Sequence, residues 1–156
     1  MSETIGNTAL VTGTVAAGLI AGIFFCFSTA VMPGLAGTDD RTFVHAMQEI
    51  NKAILNPVFL LLFVAPIPAL AVAAFIGPSR IWVIAALALY VVCFGITMAG
   101  NVSLNDALLA VGQTDAPATL KAAREAFEDP WNRLHLIRTV ALVAAFGCCV
   151  GAALAG

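Results

Sequence analysis

The sequence predicts an all-α integral membrane protein: a four-transmembrane-helix bundle with amphipathic helical segments on one side. Of its 156 residues, 61% are hydrophobic and 10% are charged, whereas about 25% are charged in an ordinary soluble domain. The mean hydropathy is +0.99. Four long runs carry no charged residue, and none shows the alternating pattern of a membrane β-barrel strand. Lipid is therefore expected to solvate most of the surface.

The charge-free runs define the spans. They are residues 4–38, 53–79, 81–105 and 139–156, with 35, 27, 25 and 18 residues. A helix needs about 20 residues to cross the hydrocarbon core, and lipid offers no partners for an open backbone, so helices are expected. We place the spans at about 8–31, 53–77, 81–105 and 130–154, within a single membrane domain of residues 1–156.

The segment before span 2 is predicted to be an amphipathic helix. Thr38-Asp39-Asp40 is a typical N-cap sequence. The helix extends to about Leu55, with an apolar stripe at Phe43, Met47, Ile50 and Ile54. We expect it to continue into span 2 near Asn56-Pro57. Within span 2, the prolines at 66 and 68 predict a kink.

The segment before span 4 is predicted to contain a short surface helix over residues 116–127. Arg124 and Glu128 have the i,i+4 spacing of an ion pair. Asp129 then resembles an N-cap with Pro130 at the first helical position, which predicts that span 4 begins there.

The cationic residues predict the orientation. Six of the seven Lys and Arg residues lie in the two long connecting segments or at their ends, namely Arg41, Lys52, Lys121, Arg124, Arg133 and Arg138. The positive-inside rule places these segments in the cytoplasm and both termini on the opposite side of a multi-pass protein. The net charge of −2 provides no basic surface for nucleic acid. The four cysteines lie in apolar runs without the spacing of metal ligands.

Polar side chains are expected to converge near the cytoplasmic end of the bundle. Trp131, His135 and Arg138 share one face of span 4. Three further sets end at the same side: Thr97, Asn101 and Asn105 on span 3; His45, Glu49, Lys52 and Asn56 on the helix entering span 2; and Ser28 with Thr29 on span 1. Intramembrane polar groups of this kind indicate a shared cavity. Interhelical hydrogen bonds, with Arg138 and Lys52 extending to lipid headgroups, are the structural alternative.

Five stretches resemble the anthrone oxygenase-like family of small four-helix membrane proteins. They are FFCFSTAVMPGL at 24–35, AMQEIN at 46–51, NPVF at 56–59, NVSLN at 101–105 and WNRLHLIRT at 131–139. The named members of that family oxidise anthrones to anthraquinones with molecular oxygen. The resemblance therefore implies an oxygenase of flat phenolic substrates, and it adds Asn51 to the residues expected to bind substrate.

Such an oxidation needs a base, a group that stabilises an enolate, and surfaces for the rings. His135 is the first candidate for the base and His45 the second, because imidazole titrates near neutral pH. Arg138 and Lys52 are candidates for holding the oxyanion. Asn101 and Asn105 are expected to orient the oxygens of the substrate. Trp131 and the phenylalanines at 24, 25 and 27 offer aromatic faces, although packing also explains the phenylalanines.

Two other hypotheses remain open. In one, His45, Glu49 and His135 hold iron or copper as a two-His-one-carboxylate set. In the other, the chain is a non-enzymatic protein that binds a small molecule or has a structural role. The preferred hypothesis needs no cofactor and uses molecular oxygen as co-substrate. The expected partners are membrane lipid and a small apolar aromatic ligand. Whether the chain forms a homo-oligomer is also an open question, since Gly18 with Gly22 and Gly147 with Gly151 form two GxxxG pairs that allow close approach of helices.

Overall fold

The structure, a computed structural model, describes residues 2–155. Within this range the chain is helical and contains no strand, as the sequence predicts. It forms eight α-helices: α1 (Ser2–Cys26), α2 (Met32–Ala36), α3 (Asp40–Ala53), α4 (Pro57–Val64), α5 (Pro66–Ile76), α6 (Arg80–Ile96), α7 (Val102–Ala110) and α8 (Pro117–Ala155). Two π-turns interrupt them, the first at Phe27–Val31 and the second at Thr97–Asn101.

Four continuous or nearly continuous helical stretches are long and apolar enough to cross a membrane. They are span 1 (Ser2–Ala36), span 2 (Pro57–Ile76), span 3 (Arg80–Ala110) and span 4 (Pro117–Ala155). The chain is therefore a multi-pass membrane protein. Spans 1, 3 and 4 extend beyond the predicted boundaries, because a helix that leaves the hydrocarbon core continues to satisfy its own backbone.

Outward-facing apolar side chains support the membrane assignment. Phe75, Ile81 and Leu154 are among the large hydrophobic residues that the bundle leaves exposed. Water would disfavour so much exposed apolar surface, but lipid tails solvate it without cost.

Helix α3 forms with the predicted apolar stripe but does not run into span 2. Phe43 and Met47 are fully buried. The Asp39 carboxylate caps the helix by accepting from the Thr42 amide and hydroxyl at 3.0 and 2.7 Å, and these bonds lower the pKa of that carboxyl. The chain breaks after Ala53, and Asn56 starts α4 as its N-cap, with Oδ1 3.0 Å from the Phe59 amide nitrogen. The expectation of a continuous helix here was wrong, because Pro57 favours an extended residue before it.

Span 4 does not begin at Pro130. Helix α8 starts at Pro117 and continues through Pro130, so the predicted surface helix and span 4 are one element and Asp129 caps no helix. One side-chain contact spans the proline and another lies just before it. The Phe127 and Trp131 rings stack at 5.8 Å between centroids, and the predicted Arg124–Glu128 ion pair is present at 2.6 Å.

Span 2 is interrupted as predicted, since α4 ends at Val64 and α5 begins at Pro66. At the end of the bundle away from α3, α1 packs closely on the end of α5. A Cβ atom on Gly6 would lie 2.6 Å from the Gly77 Cα atom. Glycine also allows contacts between Gly18 and Phe146 and between Gly151 and Trp82 within the chain.

We expect Gly6→Ala to lower the free energy of unfolding by about 1 to 3 kcal/mol, because the added methyl group forces α1 away from the backbone at Gly77. Gly22→Ala on the same helix is the matched control, since no atom lies within 4 Å of its added Cβ. Helix propensity predicts that this control is neutral or stabilising by up to about 1 kcal/mol. Thermal unfolding in detergent, followed by circular dichroism, measures both. Equal effects of the two substitutions would contradict the close approach.

Candidate functional site

Arg138 is buried inside the bundle, and the part of the chain that the structure describes gives it no counter-ion. Its side chain comes from span 4, and the residue is only 6% exposed. Nη1 donates to the Thr97 hydroxyl at 3.3 Å, and Nε donates to His135 Nδ1 at 3.1 Å. Among residues 2–155, no carboxylate lies within ion-pair distance of it. Isolated cations are rare within membrane spans, and they mark functional sites by default.

Aromatic faces replace part of the missing solvation. The Arg138 Cζ atom lies 4.6 Å from the centroid of the Phe24 ring and 5.2 Å from that of Trp131. Guanidinium groups bind the negative faces of such rings, more strongly when water is excluded.

Hydrogen bonds determine the orientation and tautomer of His135. Its Nε2 atom lies 3.1 Å from the Phe24 carbonyl oxygen, which only accepts, so Nε2 carries the hydrogen. Nδ1 then has the lone pair that accepts from Arg138. This is the bonding pattern of the neutral imidazole. The Trp131 indole stacks on the ring at 4.6 Å between centroids.

Both π-turns lie next to this cluster. The first begins three residues after Phe24, and the second begins at Thr97. Thr97 donates its hydroxyl to the Cys93 carbonyl at 2.8 Å and so presents a lone pair to Arg138. Isolated π-turns within α-helices occur frequently at functional sites, because the wider turn changes the direction of the side chains.

A cavity of about 400 Å³ opens beside the cluster. Its walls come from all four spans and the end of α3, and most of its surface is apolar. The aromatic residues that line it are Phe24, Phe27, Phe59, Phe63, Phe94 and Trp131. The polar residues that line it are Asn51, Thr97, Asn105, His135 and Arg138. A small set of polar groups on apolar walls is typical of a small-molecule site.

Part of the cavity wall is exposed at the side of the bundle. Leu60 on α4 and Met98 in the second π-turn line the cavity, and 43% and 53% of their surfaces remain exposed. Both elements belong to membrane spans. Elsewhere α4 and α6 are joined, since the Tyr90 hydroxyl donates to the Phe63 carbonyl at 2.9 Å.

The structure brings half of the predicted site residues together. Asn51, Asn105, Trp131, His135 and Arg138 all line the cavity. Asn101 is fully buried beside it: its Nδ2 donates to the Trp131 carbonyl at 3.3 Å, while its Oδ1 has no partner. Whether these residues catalyse a reaction or bind a substrate stays a prediction.

The other predicted residues have partners elsewhere. His45 contacts the Thr114 carbonyl oxygen at 3.2 Å, and Lys52 pairs with Glu49 at 2.7 Å on the surface. Asn56 is occupied as the cap of α4 and donates to the Ala53 carbonyl. Ser28 bonds to Thr139 at 3.1 Å, which ties span 1 to span 4.

The alternative metal set is not assembled. His45 and Glu49 lie on α3 with the partners just described, and both ring nitrogens of His135 are engaged. Across residues 2–155, no group of three His, Cys, Asp or Glu side chains is arranged to hold a metal ion. In the structure these three side chains therefore do not converge, and His45 lies near the loop after α7.

Several lining residues were not among the predicted site residues. Thr97 was part of the polar stripe on span 3, and its spacing from Asn101 was the available signal. Phe59, Phe63, Phe94 and Met98 lie in apolar runs, where sequence alone does not distinguish a cavity wall from a lipid-facing surface. Phe25, in contrast, points outward and is 56% exposed.

Fold and site together define a four-span helical membrane protein with a buried cation beside a mostly apolar cavity. The family model described as anthrone oxygenase matches residues 43–148, more than half of the chain. The chain therefore belongs to the anthrone oxygenase family, which confirms the resemblance. Neither the curated proteins nor the solved structures contain a significant match to it.

We expect Arg138→Met to leave the free energy of unfolding unchanged or to raise it by about 1 to 4 kcal/mol, because an apolar side chain of similar length removes an unneutralised buried charge. Arg124→Met is the matched control. Arg124 pairs with Glu128 and donates to the Thr38 and Ala36 carbonyl oxygens at 2.8 and 3.0 Å. Its loss is expected to lower the free energy of unfolding by about 2 to 3 kcal/mol. Thermal unfolding in detergent compares the two. A loss at Arg138 as large as that at Arg124 would identify Arg138 as a structural residue.

Proposed function

We propose that the chain oxidises anthrone-like polycyclic phenols with molecular oxygen in the cavity beside Arg138. The observation that carries the proposal is a buried guanidinium without a counter-ion facing an apolar, aromatic space. Such a site favours a flat ligand that becomes negatively charged during the reaction. Family membership supports the reaction class.

The reaction balances with oxygen as the only co-substrate. One methylene proton leaves carbon and produces an aromatic enolate. The enolate reduces molecular oxygen, and a carbon–oxygen bond forms at the former methylene. Loss of the second hydrogen with cleavage of the oxygen–oxygen bond yields the anthraquinone and one water molecule. One oxygen atom stays on carbon, and the other leaves as water.

Arg138 is suited to stabilise the enolate. Its three hydrogen bonds leave further N–H groups on Nη1 and Nη2 available to a ligand. In a water-poor cavity, donors that face a developing oxyanion typically accelerate a reaction by about 10² to 10³-fold. Attraction increases as negative charge develops on the substrate oxygen, so the interaction is stronger in the transition state than in the ground state.

His135 is proposed as the base. Among the residues that line the cavity, it is the one whose neutral side chain has a basic lone pair. That lone pair, on Nδ1, accepts a hydrogen bond from Arg138. When a substrate oxygen attracts the guanidinium, Nδ1 is released for the proton of the methylene carbon. The rotation of Arg138 thus couples binding of the oxygen to activation of the base.

The membrane is the proposed source of the ligand, because the exposed lining residues Leu60 and Met98 both belong to membrane spans. The long segments at the cavity end are proposed to be cytoplasmic, since they and their borders contain six of the seven Lys and Arg residues.

Oxygen uptake by the purified protein with anthrone tests the reaction. We expect the wild type to consume about one O₂ per anthrone converted to anthraquinone. Arg138→Met is expected to lower kcat/KM by about 10² to 10³-fold. Arg133→Met, an exposed arginine on the same helix, is expected to retain activity. Ligand binding without oxygen uptake in the wild type would instead favour a non-enzymatic binding protein.

His135→Gln tests the base. We expect a fall in kcat of about 10² to 10⁴-fold if the imidazole takes the proton. Anthrone deuterated at the methylene is expected to show a primary kinetic isotope effect on the wild type, because breaking the carbon–hydrogen bond limits the rate. Unchanged oxygen uptake by the variant, or a fall in activity caused only by a higher KM, would remove His135 from the role of base.

A further inference from the structure

Two asparagine side chains that line the cavity offer amide groups without a protein partner. The Nδ2 atom of Asn51, a residue only 5% exposed, is shielded from solvent and has no hydrogen bond. Asn105 accepts from Trp131 Nε1 at 2.8 Å through Oδ1. Because the indole nitrogen only donates, this bond orients the amide and leaves the Nδ2 group of Asn105 available.

A buried amide without a partner destabilises the protein unless something else satisfies it. Asn51 lines the cavity, so a group within the cavity is placed to satisfy this amide. The two asparagines come from different elements, α3 and α7, yet they line the same space.

The Trp131 indole lies between Arg138 and the Asn105 amide. The Arg138 Cζ atom lies 5.2 Å from the centroid of the indole, and the Asn105 Oδ1 atom accepts from the indole nitrogen at its edge. The guanidinium and the Asn105 amide therefore contact different parts of one side chain, and both line the same cavity. A ligand that contacts both groups needs polar atoms at two separate positions.

We propose that Asn51 and Asn105 form a second polar subsite, which donates to a ligand oxygen on the edge opposite the one bound by Arg138. The preferred ligands are then fused-ring aromatics with oxygens on two opposite edges, as in quinones. This inference rests on the proposed function, in which Arg138 binds one ligand oxygen. It adds that Asn51 and Asn105 select ligands with a second oxygen on the opposite edge.

Tryptophan fluorescence reports binding at this site. The chain has two tryptophans. Trp82 lies in the first turn of α6, where it contacts Gly151, whereas Trp131 lines the cavity. Trp82→Phe therefore leaves a single reporter beside the ligand. The full chain with this substitution is placed in lipid nanodiscs without oxygen, so that anthrone is not consumed. It is titrated with anthracene, anthrone and anthraquinone, which have zero, one and two oxygens.

We expect affinity to rise by about 3- to 10-fold from anthracene to anthrone, and again by about 3- to 10-fold from anthrone to anthraquinone. Asn51→Leu and Asn105→Leu are expected to remove the second increase and keep the first. Asn7→Leu, an exposed asparagine on α1, is the matched control and is expected to keep both. Asn51→Ala repeats the test with a smaller side chain, and anthrone binding reports whether each variant is folded.

Equal affinity of the Trp82→Phe protein for anthrone and anthraquinone would overturn the proposed subsite. The subsite would also be overturned if the Asn51 and Asn105 variants both still bound anthraquinone more tightly than anthrone. Either result leaves the proposed function standing if anthrone is oxidised and binds more tightly than anthracene. If anthrone is not oxidised and binds no more tightly than anthracene, the proposed function fails, and the subsite fails with it.

Discussion

A guanidinium group inside a membrane bundle needs a substitute for water, and three of the four spans provide one for Arg138. Span 1 contributes the face of Phe24, span 3 the Thr97 hydroxyl, and span 4 the imidazole of His135. The Phe24 carbonyl holds His135 in place in turn. Each of these groups is neutral, so the positive charge is solvated without being neutralised. The two π-turns lie where spans 1 and 3 contribute to this arrangement, which indicates that the helices depart from regular geometry to achieve it.

Much of this architecture follows from the sequence because the membrane leaves few alternatives. Four charge-free runs of sufficient length require four helices, and the structure has them. The i,i+4,i+7 spacing of Trp131, His135 and Arg138 places them on one face of any helix, and all three line the cavity. The amphipathic pattern of α3 also predicted its buried face, since apolar residues at helical spacing need a partner surface.

The remainder depends on tertiary contacts that leave no periodic signal. Lys52 and Glu49 lie on the polar face of α3, but they pair with each other at the surface because long charged side chains are more easily solvated there. Asn56 satisfies the backbone where the chain breaks, a local demand that outweighs a role in the cavity. Asp129-Pro130 predicts the start of a helix, but α8 continues through it, with the Phe127 and Trp131 rings stacked across the proline. The phenylalanines of the cavity wall resemble lipid-facing ones, since both environments are apolar.

The absence of a carboxylate near Arg138, among the described residues, has a chemical consequence. A protein carboxylate would neutralise the guanidinium before any ligand arrived, and a developing enolate would then have to compete with it. With neutral partners only, the charge of Arg138 remains available to a ligand, and in the proposed reaction its attraction increases as the substrate loses its proton. The proposed function thus assigns the cost of leaving a cation uncompensated in the bundle to the free protein, and its recovery to the transition state. Such a trade-off between stability and activity is expected of a reactive site and not of helix packing.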